Sequence, residues 1–271
     1  MENRIVVTIL GCGSSGGVPR IDGDWGSCNP NEPKNLRSRC SILVQKFNNL
    51  GEVTTVLIDT SPDLRNQLLK TDVKQIDAVL YTHDHADQSG GIDDLRIFAL
   101  RKRKRVPVYI DDKTASRLIP RFSYCFNTLE DKVYPAILEK NTITPYKDFI
   151  INGPGGEIKF LPFLQKHGKI DSLGFKFNNI AYSSDVVDFY PEGFEILKNL
   201  DYWIVDALRY DPHPTHAHLD LTLGWINSLN VKRGILTNMH IDLDYNELKN
   251  TLPSNITVSY THLTLPTKRI V

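Results

Sequence analysis

The segment Thr82-His83-Asp84-His85-Ala86-Asp87-Gln88 crowds imidazoles and carboxylates onto one short stretch. His83 and His85 stand at i and i+2, Asp87 follows two residues on, and the apolar run IDAVLYT at 76–82 leads straight into them. A neutral imidazole offers a nitrogen lone pair to a borderline cation, and a carboxylate adds charge and an oxygen. A turn at a strand end can aim all three at one point. In an ordinary core, buried His and Asp would need polar partners of their own. More donors stand just past other apolar runs: His167 in QKHG after 158–163, Asp185 in YSSD after 180–184, and His240 in TNMH after 234–237. Their common placement points to convergence on metal. Together with the first cluster they could supply two ions, with Asp185 bridging.

Such convergence needs elements that end near one another. Runs 4–10, 41–47 and 53–58 read as strands by their β-branched content, and 76–82 as a buried strand. Runs 158–163, 173–177 and 180–184 look like consecutive strands, and 202–207, 234–237 and 256–259 like three more. Segments 92–101, 219–229 and 245–252 look helical, the first with Ile92, Leu95, Ile97, Phe98 and Leu100 on an apolar side. Strands come first in groups and then alternate with helices, which suggests two sheets packed together with helices outside. Residues 120–156 are the least regular and read as an insertion over the site. One domain over 1–259 is expected. Residues 260–271 show neither period and read as a disordered or non-native tail, so His262 is given no role.

Composition narrows the function classes. The chain has 271 residues, 32 Lys+Arg against 32 Asp+Glu, and 41% hydrophobic residues. That length supports a substantial core. With no basic excess, overall charge favours neither nucleic acid nor a membrane surface. The N-terminal apolar stretch 5–10 is too short for a signal peptide, and no run approaches a bilayer span. The expected location is cytoplasmic, with no membrane association. Cys12, Cys28, Cys40 and Cys125 form no C-x-x-C pair and read as buried or half-buried free thiols.

Three further features each admit two readings. The glycine-rich stretch 11–19 could cradle a phosphate oxygen with its N–H groups, or be a tight turn that needs positive φ. Asp59 could orient a ligand histidine or cap a helix starting near Pro62. The run RKRKR at 101–105 reads as a solvated helix end complementing the helix dipole, with a phosphate or RNA-backbone contact as the alternative.

The pattern H-x-H-x-D at 83–87, followed by a distant His, Asp and His, resembles the metallo-β-lactamase superfamily. GCGSSGGVPR, IDTSPDLRNQLL, GGIDDLR and DALRYDPHPTH narrow the resemblance to its phosphodiesterase branch, which includes phosphoribosyl cyclic phosphate phosphodiesterase and, more distantly, the tRNA 3′-processing endonucleases. The resemblance runs over about residues 4–258. It implies an α/β (α+β) fold, a four-layer αββα sandwich with the metals at one edge of the sheets. It implies that His83, His85 and His167 hold one ion, that Asp185 bridges, and that Asp87 and His240 hold the second. His216 matches a branch histidine near the leaving group, with His213 and His218 as second choices. The family pattern usually has a histidine after the Asp, where this chain has Gln88. A neutral Gln88 amide implies a second site that is either weaker or tilted toward a harder ion such as Mn2+. Some relatives carry an extra cysteine-rich zinc site near the N-terminus. Only Cys28 lies in the comparable loop, so none is expected here.

The expected chemistry is hydrolysis of a phosphodiester with two divalent metal ions, Zn2+ or Mn2+, as cofactors. Asp87 would orient the attacking water while ligating, and His216 would donate a proton to the leaving alkoxide. The expected substrate is a small or cyclic phosphodiester, and a second copy of the chain in a homodimer is the protein partner considered. The alternatives are an RNA-processing nuclease of the same fold, drawing on 101–105, and a catalytically inactive metal-binding relative, for which Gln88 is the support.

Overall fold

The β-branched runs become strands, and the donors fall where those strands stop. The computed structural model describes residues 4–128, 135–260 and 263–266. Its strands are β1 (Arg4–Gly11), β2 (Ser41–Phe47), β3 (Val53–Ile58), β4 (Ala78–Leu80), β5 (Val106–Ile110), β6 (Leu138–Thr142), β7 (Phe149–Ile151), β8 (Ile158–His167), β9 (Ile170–Phe177), β10 (Ile180–Ser183), β11 (Asp188–Phe189), β12 (Tyr202–Asp206), β13 (Arg233–Thr237), β14 (Ile256–Val258) and β15 (Leu263–Pro266). The helices are α1 (Leu64–Leu69), α2 (Ala86–Ser89), α3 (Arg96–Lys102), α4 (Asp112–Arg121), α5 (Ser123–Phe126), α6 (Pro191–Ile196), α7 (Leu219–Ser228) and α8 (Tyr245–Thr251). The chain divides into two compact units, the first built mainly on Ser41–Lys159 and the second on Ile9–Cys40 with Phe160–Leu263.

In the first unit the sheet order is β15-β1-β2-β3-β4-β5-β6. β2 and β3 form an antiparallel hairpin, from Phe47 opposite Val53 to Ile42 opposite Ile58. From β3 onward the pairs β3–β4, β4–β5 and β5–β6 are parallel. Parallel strands are covered on both faces and therefore read as unbroken apolar runs; Val56, Leu57, Ile58, Val79 and Leu80 are all fully buried. Ile58 registers with Leu80, so the residues leaving β3 and β4 emerge side by side. That is the carboxyl edge, where ligand-binding residues of parallel sheets collect.

The second unit repeats this logic. Its sheet order is β11-β8-β9-β10-β12-β13-β14. β8, β9 and β10 run antiparallel in turn, so β8 and β10 point the same way. β10, β12, β13 and β14 are parallel. Ser183 registers with Val205, and Asp206 with Thr237, which brings the ends of three strands to one edge. Behind that edge Trp203, Phe189 and Trp225 pack with ring centroids 5.7 Å and 4.9 Å from Phe189. Phe163, Val205, Leu197 and Ile226 complete this apolar cluster.

Three expectations change at this level. The stretch 120–156, expected as the least regular part and as an insertion over the site, contains α5, β6 and β7, and β6 extends the first sheet through five parallel partners from Val106–Leu138 to Ile110–Thr142. Buried Ile137 and Leu138 anchor it there; residues 129–134 lie outside the described ones. Within the expected trailing segment, Leu263–Pro266 is a strand beside β1, while 261–262 and 267–271 lie outside the described residues. The helix expected over 92–101 is split into a 3-10 turn, Ile92–Leu95, and α3. Among the described residues no helix is long and apolar enough to cross a membrane.

Candidate metal centre

In the first unit the donors sit on the loop from β4 to α2. The backbone alternates direction along it. His83 is buried and His85 exposed, with ring centroids 4.5 Å apart. Asp84, between them, turns to Arg121 at 2.7 Å and Arg117 at 3.6 Å on α4. Asp87 lies half-buried in the first turn of α2.

A buried relay fixes the His83 tautomer. Asp59 follows β3 in the left-handed region, at φ 64°, which aspartate tolerates better than most residues. Its carboxylate accepts from the Thr82 backbone N–H and from the Thr82 hydroxyl, both at 2.9 Å. The hydroxyl proton is then committed to Asp59, so at 3.0 Å the same oxygen accepts from His83 Nδ1–H. The lone pair is left on His83 Nε2, the tautomer that a cation requires. Of the two roles considered for Asp59, orienting a histidine is the one its geometry serves; the cap position of α1 belongs to Asp63. Gln88 is fully buried and its Nε2 lies 3.5 Å from Asp87 Oδ2. A Cβ at Gly91 would fall on the Ser61 carbonyl, which accounts for a glycine in the GGIDDLR stretch.

The second unit gathers donors from two strand ends and one loop. His167 closes β8, Asp185 follows β10 at φ 51°, and His216 lies on the loop before α7. One donor atom from each lies within 4.8 Å of the others. His167 is 4% exposed and Asp185 2%. His167 Nδ1–H donates to the Thr215 carbonyl at 2.8 Å, which leaves Nε2 as its metal-binding atom. That Nε2 is 3.9 Å from Asp185 Oδ1. The distance exceeds a hydrogen bond, yet one cation at about 2.0–2.2 Å from each atom would touch both. A carboxylate this deep needs positive charge nearby. The donor chemistry therefore fits a divalent cation.

His216 is gripped by a residue that sequence reading missed. Asp206 ends β12 with no exposure, and its Oδ2 lies 2.8 Å from His216 Nδ1 and accepts the Val186 N–H at 3.1 Å. The signal was present: YWIVD is an acid at the end of an apolar strand, the same rule that selected Asp185. His213 stands next to His216, ring centroids 5.2 Å apart, with its basicity lowered by burial and by the His216 charge. His218 occupies the N-cap position of α7 without a side-chain capping bond.

His240 does not join this group. Its Nδ1 meets Asp242 Oδ2 at 2.8 Å and its Nε2 meets the Arg20 guanidinium at 2.6 Å. The residue at the buried end of β13 is Asn238, at φ 62° and 1% exposure, its Nδ2 3.1 Å from His216 Nδ1. The glycine-rich stretch resolves toward a turn. The N–H groups of Gly13, Ser14, Gly17 and Val18 go to the carbonyls of Ser38, Met239, Ser14 and Arg37. Gly17 has φ 68°, and a Cβ at Gly13 would stand 2.8 Å from the Arg37 carbonyl. In the basic run, Arg101 and Lys102 end α3 and Lys102 pairs with Asp77 at 2.8 Å. All four cysteines are buried free thiols.

The family model described as Beta-lactamase superfamily domain matches residues 54–241. A crystal structure described as a new diphosphatase from the PhnP family superposes with a TM-score of 0.88 at 33% identity, covering 100% of both chains. The short form of human tRNase Z superposes with a TM-score of 0.64 at 16% identity, covering 96% of this chain and 98% of that one, a likeness of fold. An octanoyltransferase from Porphyromonas gingivalis is 29% identical over 257 residues, 93% of this chain and 49% of the relative, so the chain spans about half the length of that curated protein.

Proposed function

Because the chain belongs to the β-lactamase superfamily and has the metallo-β-lactamase hydrolase fold, we propose that it is a metal-dependent phosphodiesterase acting on a small or cyclic phosphate ester. The observation that carries the reading is the group of buried His167 and Asp185 with half-buried His216, Asp206 standing behind it. It puts a cation-binding carboxylate and a carboxylate-held histidine within one cluster, the two components a phosphoryl hydrolysis needs. His83, His85, His167 and Asp185 are the proposed ligands. Three of them are imidazoles, which suits Zn2+, with Mn2+ as the alternative.

A bound divalent ion supplies a water of lowered pKa and neutralises charge on the phosphoryl oxygens. The chain does the rest. The Asp59–Thr82 relay and the Thr215 carbonyl hold the lone pairs of His83 and His167 on Nε2. Asp87 orients the attacking water, as an acceptor on the same loop as His83 and His85. Asp206 accepts from His216 Nδ1–H and stabilises the imidazolium form, whose Nε2–H is the proton offered to the leaving alkoxide. A cytosolic setting agrees with the free buried thiols.

The 33%-identical relative is described as a diphosphatase, so a phosphoanhydride belongs beside the phosphodiesters in any test. The experiment is elemental analysis of the purified protein together with turnover of bis(p-nitrophenyl) phosphate, a five-membered cyclic phosphodiester, a dinucleoside diphosphate and a tRNA precursor. Metal with turnover of the small substrates supports the proposal. Cleavage confined to the tRNA precursor would replace it with the nuclease reading, and metal without any turnover with the inactive relative.

A further inference from the structure

The basic run at 101–105 has no part in the proposed hydrolysis, and the first unit gives most of it one destination. A cavity of about 230 Å³ opens between β7, the start of β5 and the segment before β4, all within that unit. Lys102, Lys104 and Arg105 line it, whereas Arg101 lines a separate groove along α1 and α3. The turn after α3 makes this arrangement. Arg103 closes the helix in the left-handed region, at φ 49°, and the Lys104 N–H donates to the Ala99 carbonyl at 3.2 Å. The chain leaves the helix there. Lys104 and Arg105 then stand immediately before β5, and Asp77 holds the matching place before β4. The loop carrying His83 and His85 follows the other end of β4. The cavity and that loop therefore lie at opposite edges of one sheet.

Charge in the cavity is unbalanced. Asp77 is the one carboxylate among its described lining residues, and both of its oxygens are taken. Oδ1 accepts from Lys102 Nζ and Oδ2 from the Thr55 N–H, each at 2.8 Å. Among the described residues neither Lys104 nor Arg105 meets a carboxylate; Arg105 donates to the Thr128 hydroxyl at 3.3 Å. Burial and the Glu139 carboxylate push the Tyr109 hydroxyl up, so it lines the cavity as a neutral donor. The rest of the wall is largely apolar, with Val106, Pro107 and Ile150, the last 45% exposed. Two uncompensated cations beside an apolar wall suit a phosphomonoester, which is close to a dianion near neutrality. The guanidinium fork matches two phosphate oxygens, and the ammonium is a point charge for a third. An RNA backbone is tracked by a continuous basic groove. This run divides between two faces, and its larger share lines a hollow of small-molecule size.

We infer that this cavity binds a small organic phosphate, apart from the loop of His83 and His85. Lys104 and Arg105 hold the phosphate, and Val106 and Ile150 pack against the organic body. The inference goes beyond the proposed hydrolysis and does not depend on it.

The test is calorimetric titration of the purified chain with phenyl phosphate. Lys104 and Arg105 are both exposed, so the double variant Lys104→Ala with Arg105→Ala should fold. Its affinity for phenyl phosphate should fall by about tenfold or more, the loss expected for charge-assisted hydrogen bonds. Its turnover of bis(p-nitrophenyl) phosphate should stay at the wild-type rate. Asp185→Ala should still bind phenyl phosphate. Binding that survives the double variant and vanishes in Asp185→Ala would overturn the inference and leave the proposed function standing. A native chain that binds no phenyl phosphate would overturn it as well. Ile150→Ser should weaken phenyl phosphate and leave inorganic phosphate unchanged; equal losses would remove the place given to the organic body. Single-stranded RNA held through Lys104 and Arg105, with phenyl phosphate not held, would replace the site with an RNA-backbone contact.

Discussion

Two histidines of the second unit carry the same contact and serve different ends. His216 meets Asp206 at 2.8 Å through Nδ1, and His240 meets Asp242 at 2.8 Å through Nδ1. Asp206 ends a central parallel strand with no exposure, whereas the Asp242 side chain is 42% exposed. The first pair stands among His167 and Asp185, and the second faces Arg20. A carboxylate fixes which imidazole nitrogen keeps its proton. What the other nitrogen meets decides the role. Burial adds strength, because a contact in a dry interior is electrostatically stronger than the same contact beside water.

Substitutions can break that comparison at several depths. The largest effect is expected from Asp185→Ala, which should strip the metal and bring hydrolysis to background; full metal content by elemental analysis would take Asp185 out of the site. Next comes His216→Ala, expected to keep its metal and lose about 10²–10⁴ in kcat, the range for a positioned general acid. Zinc lost together with turnover would make His216 a ligand instead. Asp206→Asn preserves shape and removes the charge behind His216, so kcat should fall by about 10–100-fold. Asp242→Asn, the matching change at the exposed pair, should leave kcat within about threefold, as befits an exposed ion pair. Equal losses from the two asparagine variants would erase the distinction drawn between the pairs.

The smallest expected effect on activity, and a distinct one on stability, lies at Asp244. This residue caps α8 by accepting from Asn246 N–H at 2.8 Å and Glu247 N–H at 3.1 Å, and it also accepts from Asn29 N–H at 2.9 Å and the Asn35 amide at 2.7 Å. Burial pushes its pKa up, but these donors outweigh that and hold the carboxyl below the usual range. A depressed folded pKa stabilises above the unfolded pKa of about 3.9 and loses that stabilisation as pH falls through the folded value. Asp244→Ala should therefore cost about 1–2 kcal/mol near pH 7, with the gap to wild type narrowing below about pH 4. Urea titrations across that range check both the size and the sign.

The donor-rich loop of the first unit was legible as a sequence feature because its donors are contiguous. His83, His85 and Asp87 share one turn, and the apolar run before them marks a strand end. Strand identity was equally plain where both faces are buried, so β2 and β3 match the expected runs residue for residue. The second unit was legible only in part. Past a strand end the direction of a side chain hangs on one backbone torsion. Asp185 and Asn238 are both left-handed there, at φ 51° and 62°. His240 lies two residues beyond Asn238 and is carried away to Arg20, which is distant in sequence. No spacing rule encodes that choice.

What the sequence determined by itself is therefore an inventory: metal-binding residue types at the ends of apolar strands, a buried parallel framework, and an amide at Gln88 directly after Asp87. The tertiary structure decided the assignment of that inventory. Registering β10 with β12 and β12 with β13 placed Asp206 behind His216 and set Asn238 at the buried edge. A lone pair becomes a ligand only if nothing nearer claims it, and nearness between residues far apart in the chain is a property of the packed sheet alone.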